Sequence, residues 1–428
     1  MGDPPAQLFP GAIIAGSKVG FFVDVRLAAL GGIKIAQERS EMRSLSSATI
    51  ASVANIEQVE RPARAGIWAF LFLGRAGVYA GCVKPLAIED LSYILEQTLP
   101  LWERARKRRI FLSGATGFFG AWLLESLAYC NRELKLELSA TVLSRDPEGF
   151  ALKMPHLVRE PGIRLLQGDV RDFKFPGEEF EYVLHAAAST SVAAAGEPLE
   201  LLSTLLDGTR RMLVFARERG AKRFLFTSSG AVYGKQPPHL SHIPEDYPGG
   251  PDWLDTNAAY AEGKRVAELL CSLYARESEI EFIIARCFAF VGPHLPLNQH
   301  FAIGNFIEDA LAGRNIAVRG DGTPIRSYLY GADLAIWLWT MLLGEALPGS
   351  NPHVFNVGSG DAISILDLAQ VVVEELDPSL KVEVARAPIA GEPPLQYVPD
   401  VHSAESCLGL RQTISLGEAI RRTAAWYR

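Results

Sequence analysis

The sequence has little cysteine: five residues in 428, at positions 82, 130, 271, 287 and 407. No two of them form a CxxC pair and none joins a Cys/His cluster. That pattern disfavours a disulfide-stapled secreted fold and a structural zinc site, and it predicts reduced, buried thiols in a cytoplasmic protein with no metal. Long apolar runs are missing too. The nearest, residues 67–83 (IWAFLFLGRAGVYAGCV), is broken by Arg75 and three glycines. It reads as a buried hairpin or helix rather than a membrane span, and it begins too far in for a signal peptide. There is no long basic tract, and the formal net charge is -7, which argues against nucleic acid as the main partner. No internal repeat or low-complexity tract is present. What remains is 48% hydrophobic and 21% charged, enough apolar side chain for a large core, and the length suits two or three domains.

Residues 1–84 are rich in Gly, Ala and Ser and carry only short apolar runs, at 12–15 and 21–25. Three readings stay open: an accessory layer, a poorly ordered extension, or a start codon placed too far upstream. From Pro85 the pattern sharpens. Glu89 and Asp90 suit a helix start, and Leu91, Ile94, Leu95, Leu99 and Trp102 recur at helical spacing. The basic run Arg104, Arg106, Lys107, Arg108, Arg109 follows, and it suits a solvated helix end.

The stretch Arg109–Leu127, RIFLSGATGFFGAWLLESL, organises the rest. An apolar run (Ile110, Phe111, Leu112) predicts a buried strand; Gly114, Gly117 and Gly120 follow, then a helical apolar pattern. Strand, glycine turn and helix in succession make a dinucleotide site, because bare backbone approaches a pyrophosphate and the helix N-terminus offers unpaired N–H groups. The spacing is GxxGxxG rather than GxGxxG. Strands are predicted at 139–143, 163–167, 182–185, 222–227 and 281–285, with helices at 199–219 and 260–276 between them. This alternation predicts an α/β fold: a Rossmann-type doubly wound parallel sheet over 85–295, preceded by the amphipathic helix. After Pro293 loops lengthen, and 296–428 reads as a smaller C-terminal α/β substrate-binding lobe. Within it, 332–343 (ADLAIWLWTMLL) predicts a buried helix.

Tyr260 and Lys264 stand in YAEGK, one turn apart on a helix face. A tyrosine ionises near pH 10, and a nearby ammonium lowers that value enough for proton transfer. Thr227-Ser228-Ser229 ends the fifth strand, where the Ser229 hydroxyl can meet a substrate oxygen beside Tyr260. With the glycine loop, these residues resemble the extended short-chain dehydrogenase/reductase family of nucleotide-sugar epimerases, dehydratases and reductases. The resemblance covers about 108–428. It implies Tyr260 as general acid/base, Lys264 as the residue that lowers its pKa and holds the nicotinamide ribose, and Ser229 as the group that positions the reacting hydroxyl or keto group. It implies cofactor contacts from Gly114, Thr116, Gly117, Phe118, Phe119 and Gly120. Asp169 and Val170 resemble the adenine-side pair. His185, Ala186 and Ala187 resemble the segment lying along the cofactor, although His185 reads better as a packed structural histidine than as a catalyst. Tyr233 would lie near the sugar, and Arg326, in RSYLYGAD, would reach the sugar-nucleotide pyrophosphate. Ile316 and Val318 would pack against the nucleobase or form a plain edge strand.

The sequence departs from the family in three places. Where an NAD-binding unit carries an acid after its second strand, this chain has Ser144-Arg145. A hydroxyl and a guanidinium suit a 2′-phosphate, so of NAD and NADP the latter is favoured, with Asp146 still near. Family 4,6-dehydratases carry an Asp-Glu pair after the catalytic Ser/Thr, and uronic-acid decarboxylases keep a glutamate there. Here Gly230-Ala231 supply no ionisable group, which argues against both reactions unless His239, Glu245 or Asp246 substitutes. Ala289 stands where many members have Asn, and His300 and Asn305 are candidate replacements. The expectation is a cytoplasmic NAD(P)-dependent nucleotide-diphospho-sugar epimerase or 4-ketoreductase acting at C4, working as a homodimer paired through the Tyr260 helix. An atypical 4,6-dehydratase and, from another class, a non-catalytic dinucleotide sensor are the alternatives.

Overall fold

Strand β1 (Arg109–Ser113) is buried from Ile110 onward because it lies inside a parallel sheet with helices on both faces. In a computed structural model, which describes residues 83–187, 197–299 and 301–428, β1 is joined by β2 (Ser139–Ser144), β3 (Ile163–Gln167), β4 (Tyr182–His185), β5 (Arg223–Ser229) and β6 (Glu281–Cys287). Four short strands follow: β7 (Phe290–Val291), β8 (Ile316–Val318), β9 (Ile325–Arg326) and β10 (Leu329–Tyr330). Then come β11 (His353–Val357), β12 (Ile363–Ser364), β13 (Val382–Val384) and β14 (Gln396–Tyr397). The main sheet runs β11-β6-β5-β4-β1-β2-β3, a doubly wound order whose direction of winding reverses beside β1. Ligands of such sheets bind at that reversal, beyond the carboxyl ends of the strands. Register places Ser113 opposite His185 and His185 opposite Phe226, so β5 and β6, which end at Ser229 and Cys287, reach three residues beyond β1 and β4.

The sheet draws its seventh strand, β11, from beyond residue 296, pairing His353–Val357 with Ile283–Cys287. The apolar helix Gly331–Leu343 likewise covers this sheet: twelve of its thirteen residues are buried. It packs on the helices Ile88–Ala105 and Phe118–Glu133, with Trp102 and Trp339 ring centroids 5.1 Å apart. Trp339 Nε1 donates to Ser126 Oγ at 2.8 Å, so its one polar atom is satisfied inside the core. The first helix is thus an integral covering layer. The basic run at its end is spent locally, on ion pairs of Arg104 with Glu345, Arg106 with Glu103, Lys107 with Glu137 and Arg108 with Glu181.

Residues 1–82 of the 1–84 extension and most of the apolar run 67–83 lie outside the described residues, as do Cys82 and His300. Cys130, Cys271 and Cys287 are buried and free as expected; Cys407, on the short helix His402–Leu408, is exposed, which corrects the expectation of uniform burial. None of the described helices is long and apolar enough to cross a membrane.

Candidate active site

The glycine loop is shaped for a ligand that brings negative charge. Gly114 has φ +74°, and a Cβ there would lie 2.3 Å from the Ala186 carbonyl, so only glycine fits between β1 and β4. At Gly120 a Cβ would lie 2.0 Å from the Ala115 carbonyl oxygen, which fixes how closely the helix sits on its strand. Gly117 differs: a Cβ there would meet nothing within 4 Å. That gap fronts the N-terminus of the sixteen-residue helix Phe118–Glu133, which has no side-chain cap and no acid in its first turn. Its orphan N–H groups and positive dipole end are left for an outside anion. Thr116 and Gly117 are exposed, and Phe118 and Phe119 form a half-buried aromatic flank with Phe290. This cradle fits a dinucleotide pyrophosphate.

Other expected cofactor residues fall into two groups. Arg145 is exposed beyond β2. Ser144 is buried and accepts from Asp146 N at 3.1 Å, while the Asp146 carboxylate caps the next helix by accepting from Gly149 N at 2.9 Å. Asp169 is held by Arg171 through both Nε (2.8 Å) and Nη2 (3.0 Å), and this pairing keeps its carboxyl below the usual range. Val170 points into the core, against Gly208, so only its backbone remains for an adenine. The His185 ring is also turned inward. Its Nδ1 meets Ser113 Oγ at 2.7 Å and its Nε2 meets Thr209 Oγ1 at 3.0 Å, and it stacks on Phe226. Burial pushes its pKa down to about 3, so it is a neutral structural histidine, and Ala186 and Ala187, both half-buried, are the residues of this segment left accessible.

Ser229, at the carboxyl end of β5, caps the short helical turn Gly230–Tyr233 by accepting from Ala231 N at 3.2 Å. Tyr260 and Lys264 lie on the helix Ala259–Ala275, whose other buried residues are Ala261, Gly263, Ala267, Glu268 and Cys271. Ser229 is close enough to the Tyr260 phenol to pull its pKa down. Lys264 is buried, and its Nζ donates to the Thr227 carbonyl at 2.6 Å, 6.0 Å from the Tyr260 ring centroid. The three expected residues are therefore brought together. The expected depression of Tyr260 is not present: burial pushes its pKa up to about 12, against which Ser229 acts. Burial lowers Lys264 to about 8. The physical reason is that desolvation is the largest influence on the phenol, while the Lys264 ammonium is committed to the Thr227 carbonyl.

Tyr233 corrects another expectation. Its hydroxyl donates to Asn356 Oδ1 at 2.7 Å and accepts from Arg286 Nη1 at 2.9 Å. It lines a cavity of about 500 Å3 on the far flank of the Tyr260 helix, with Arg265, Glu268 and Arg286, whose lining includes neither Ser229 nor Tyr260. Ile316 and Val318 are buried in β8, which pairs with β13, so their side chains pack in the core rather than against a base; Ala317 between them is the exposed residue. Arg326 lies half-buried in β9, and Asn305 is half-buried on the helix Ala302–Leu311.

One residue here was invisible in the sequence. Tyr397, in β14, stands in register beside Arg326 of β9, and its hydroxyl lies 2.7 Å from where a Cβ on Gly230 would be. Nothing in LQYVPD marks it, because a two-residue strand has no periodicity to read.

The sheet order, the glycine cradle and the Ser229, Tyr260, Lys264 cluster define an NAD(P)-dependent enzyme of the short-chain type. Comparison with known proteins narrows this. The model of the NAD dependent epimerase/dehydratase family matches residues 110–358. UDP-glucuronic acid decarboxylase 1 of Arabidopsis thaliana is 32% identical over 327 residues, covering 76% of this chain and 71% of that protein. The chain belongs to the NAD dependent epimerase/dehydratase family. Among solved structures, UDP-glucose 4-epimerase of Thermotoga maritima, determined with UDP-glucose, has a TM-score of 0.60 at 22% identity over 74% of this chain and 98% of its own. UDP-glucose 4-epimerase of Thermus thermophilus, in complex with NAD, has a TM-score of 0.59 at 23% identity over 74% and 98%.

Proposed function

We propose that this chain is an NAD(P)-dependent nucleotide-diphospho-sugar epimerase or 4-ketoreductase acting at C4 of the sugar. The observation that carries this reading is the cluster of Ser229, Tyr260 and Lys264 beside Gly230, a position with no ionisable side chain. The bound nicotinamide would supply the hydride acceptor and donor. Tyr260 Oη would take the proton of the C4 hydroxyl as the C4–H bond breaks, and return it when the ketone is reduced. Ser229 would hold the reacting oxygen, and Lys264 would place a positive charge beneath it. Arg326 would meet the diphosphate. Arg145 is free at the surface while Asp146 is occupied as a helix cap, and this supports NADP over NAD.

The likeness to UDP-glucuronic acid decarboxylases favours a second reading, loss of carbon dioxide from a uronic acid. The missing carboxylate at 230 opposes it, as it opposes 4,6-dehydration. Mass spectrometry of reaction products, with NMR to read the configuration at C4, separates all four. UDP-hexose, UDP-glucuronic acid and a nucleotide-4-ketosugar are each incubated with protein and cofactor. Unchanged mass with a new C4 epimer supports the epimerase, and gain of two hydrogens with consumption of NADPH supports the reductase. Loss of water or of carbon dioxide overturns this reading, and no turnover by any substrate returns the non-catalytic dinucleotide sensor.

A further inference from the structure

The end of β5 is gripped from the Tyr260 helix at two successive residues. Lys264 Nζ donates to the Thr227 carbonyl at 2.6 Å. One turn further along the same helix face, Glu268 accepts from Ser228 Oγ. Ser228 and Glu268 are both buried. The Glu268 carboxylate is itself held by Arg286 of β6, through Nη2 at 2.8 Å and Nε at 3.1 Å. Arg286 stands in register beside Ser228 on one side and beside Asn356 of β11 on the other. Its Nη1 donates to the Tyr233 hydroxyl at 2.9 Å and to the Glu245 carbonyl at 2.8 Å, and Tyr233 donates on to Asn356 Oδ1 at 2.7 Å. A continuous chain of hydrogen bonds thus crosses three strands and ends at the residue before Ser229.

A buried ion pair is a poor choice for stability alone, because an apolar pair of the same volume often does as well or better. Its distinctive property is direction: a forked guanidinium and a carboxylate fix one another's angles. Here that direction bears on Ser229. Successive side chains of a strand point to opposite faces, so an anchored Ser228 side chain fixes the peptide from which Ser229 projects. The other end of the chain of bonds reaches the loop before Tyr260 and the C-terminal lobe, since Asn356 Nδ2 donates to the carbonyls of Ile243 and Asp400, each at 2.9 Å. Resting on the function proposed above, we propose that Glu268, held by Arg286, is a positioning residue that anchors Ser228 and thereby sets the place of the Ser229 hydroxyl relative to Tyr260. Glu268 acts on the reaction only through Ser228.

Ser228→Ala is the informative variant, because it removes the anchor and leaves the Glu268–Arg286 pair whole. Two measurements use it. The first needs no substrate. Hydrogen exchange read by mass spectrometry should show the segment 227–234 exchanging about tenfold faster in Ser228→Ala, with the buried helix Gly331–Leu343 within about 2-fold of wild type. Unchanged exchange at 227–234, or the same acceleration in both segments, overturns the anchoring. The second is turnover of the nucleotide sugar. Ser228→Ala should lower kcat about 5- to 10-fold and leave KM and cofactor affinity within about 3-fold. In a Ser229→Ala background, Ser228→Ala should have no further effect on kcat. A kcat within about 2-fold of wild type, a KM that rises as far as kcat falls, or full additivity with Ser229→Ala overturns the positioning role. If the wild-type chain turns over no nucleotide sugar, the functional reading fails, and the exchange measurement still decides whether Ser228 anchors the strand end.

Discussion

Lys264 shows how a single residue serves the site at some expense to the fold. It is buried, and its pKa is lowered to about 8 from an ordinary value of 10.5. The folded chain thus releases a proton between pH 8 and 10.5 that the unfolded chain keeps. Stability rises with pH wherever the unfolded state binds more protons, so this residue makes the protein more stable as pH climbs through that window and less so below it. The buried thiols act in the opposite sense at alkaline pH, because burial raises Cys271, Cys130 and Cys287 above the ordinary thiol value. The lysine is therefore seen only as a difference. In urea titrations, Lys264→Met should be at least as stable as wild type at pH 7, by on the order of 1–3 kcal/mol, and the gap should close toward pH 10.5. Turnover at pH 7 should fall about a hundredfold. A pH-independent gap would show that Lys264 is not buried as a charge. Tyr260 and Lys264 were legible in the sequence because a helix puts positions i and i+4 on one face. Their ionisation was not, because it depends on which carbonyl the ammonium meets, and Thr227 is thirty-seven residues away.

At the level of elements, strands β1 to β6 could be read because parallel strands buried on both faces appear as short apolar runs bounded by turns. The sequence HVFNV of β11 lies outside the strand–helix alternation, and its register against β6 identifies it. Strands β9 and β14 have two residues each and exist through pairing alone. The glycine loop was legible as a motif, yet its three glycines have different tasks. Gly120→Ala should lower Tm by several degrees, because its Cβ would meet backbone that cannot give way. Gly117 has φ -101° and ψ -160°, which alanine tolerates, and open space in front of it. Gly117→Ala should keep Tm within about 2 °C and weaken cofactor binding about tenfold by calorimetric titration. A Gly117→Ala protein that binds NAD and NADP as wild type does would mean the pyrophosphate lies elsewhere.

For the whole molecule, the Tyr260 helix has a second apolar face. Val266, Leu269 and Leu273 are 40%, 57% and 46% exposed, and their spacing of three and four makes one stripe on the flank away from Lys264. Helices that are apolar on two sides are ordinarily covered on both, and a homodimer joined through this helix would cover the second. Across a two-fold axis each substitution counts twice, and identical residues near the axis face each other. Leu269→Glu should therefore set two carboxylates against one another inside an apolar contact, while costing the protomer little because the position is exposed in it. Light scattering after size exclusion should give twice the 46.7 kDa chain mass for wild type and 46.7 kDa for Leu269→Glu. A wild-type mass of 46.7 kDa would refute the dimer. A dimeric Leu269→Glu would move the interface off this helix. Ser229, Tyr260 and Lys264 are already assembled within one chain, so the monomeric variant should still bind cofactor with wild-type affinity.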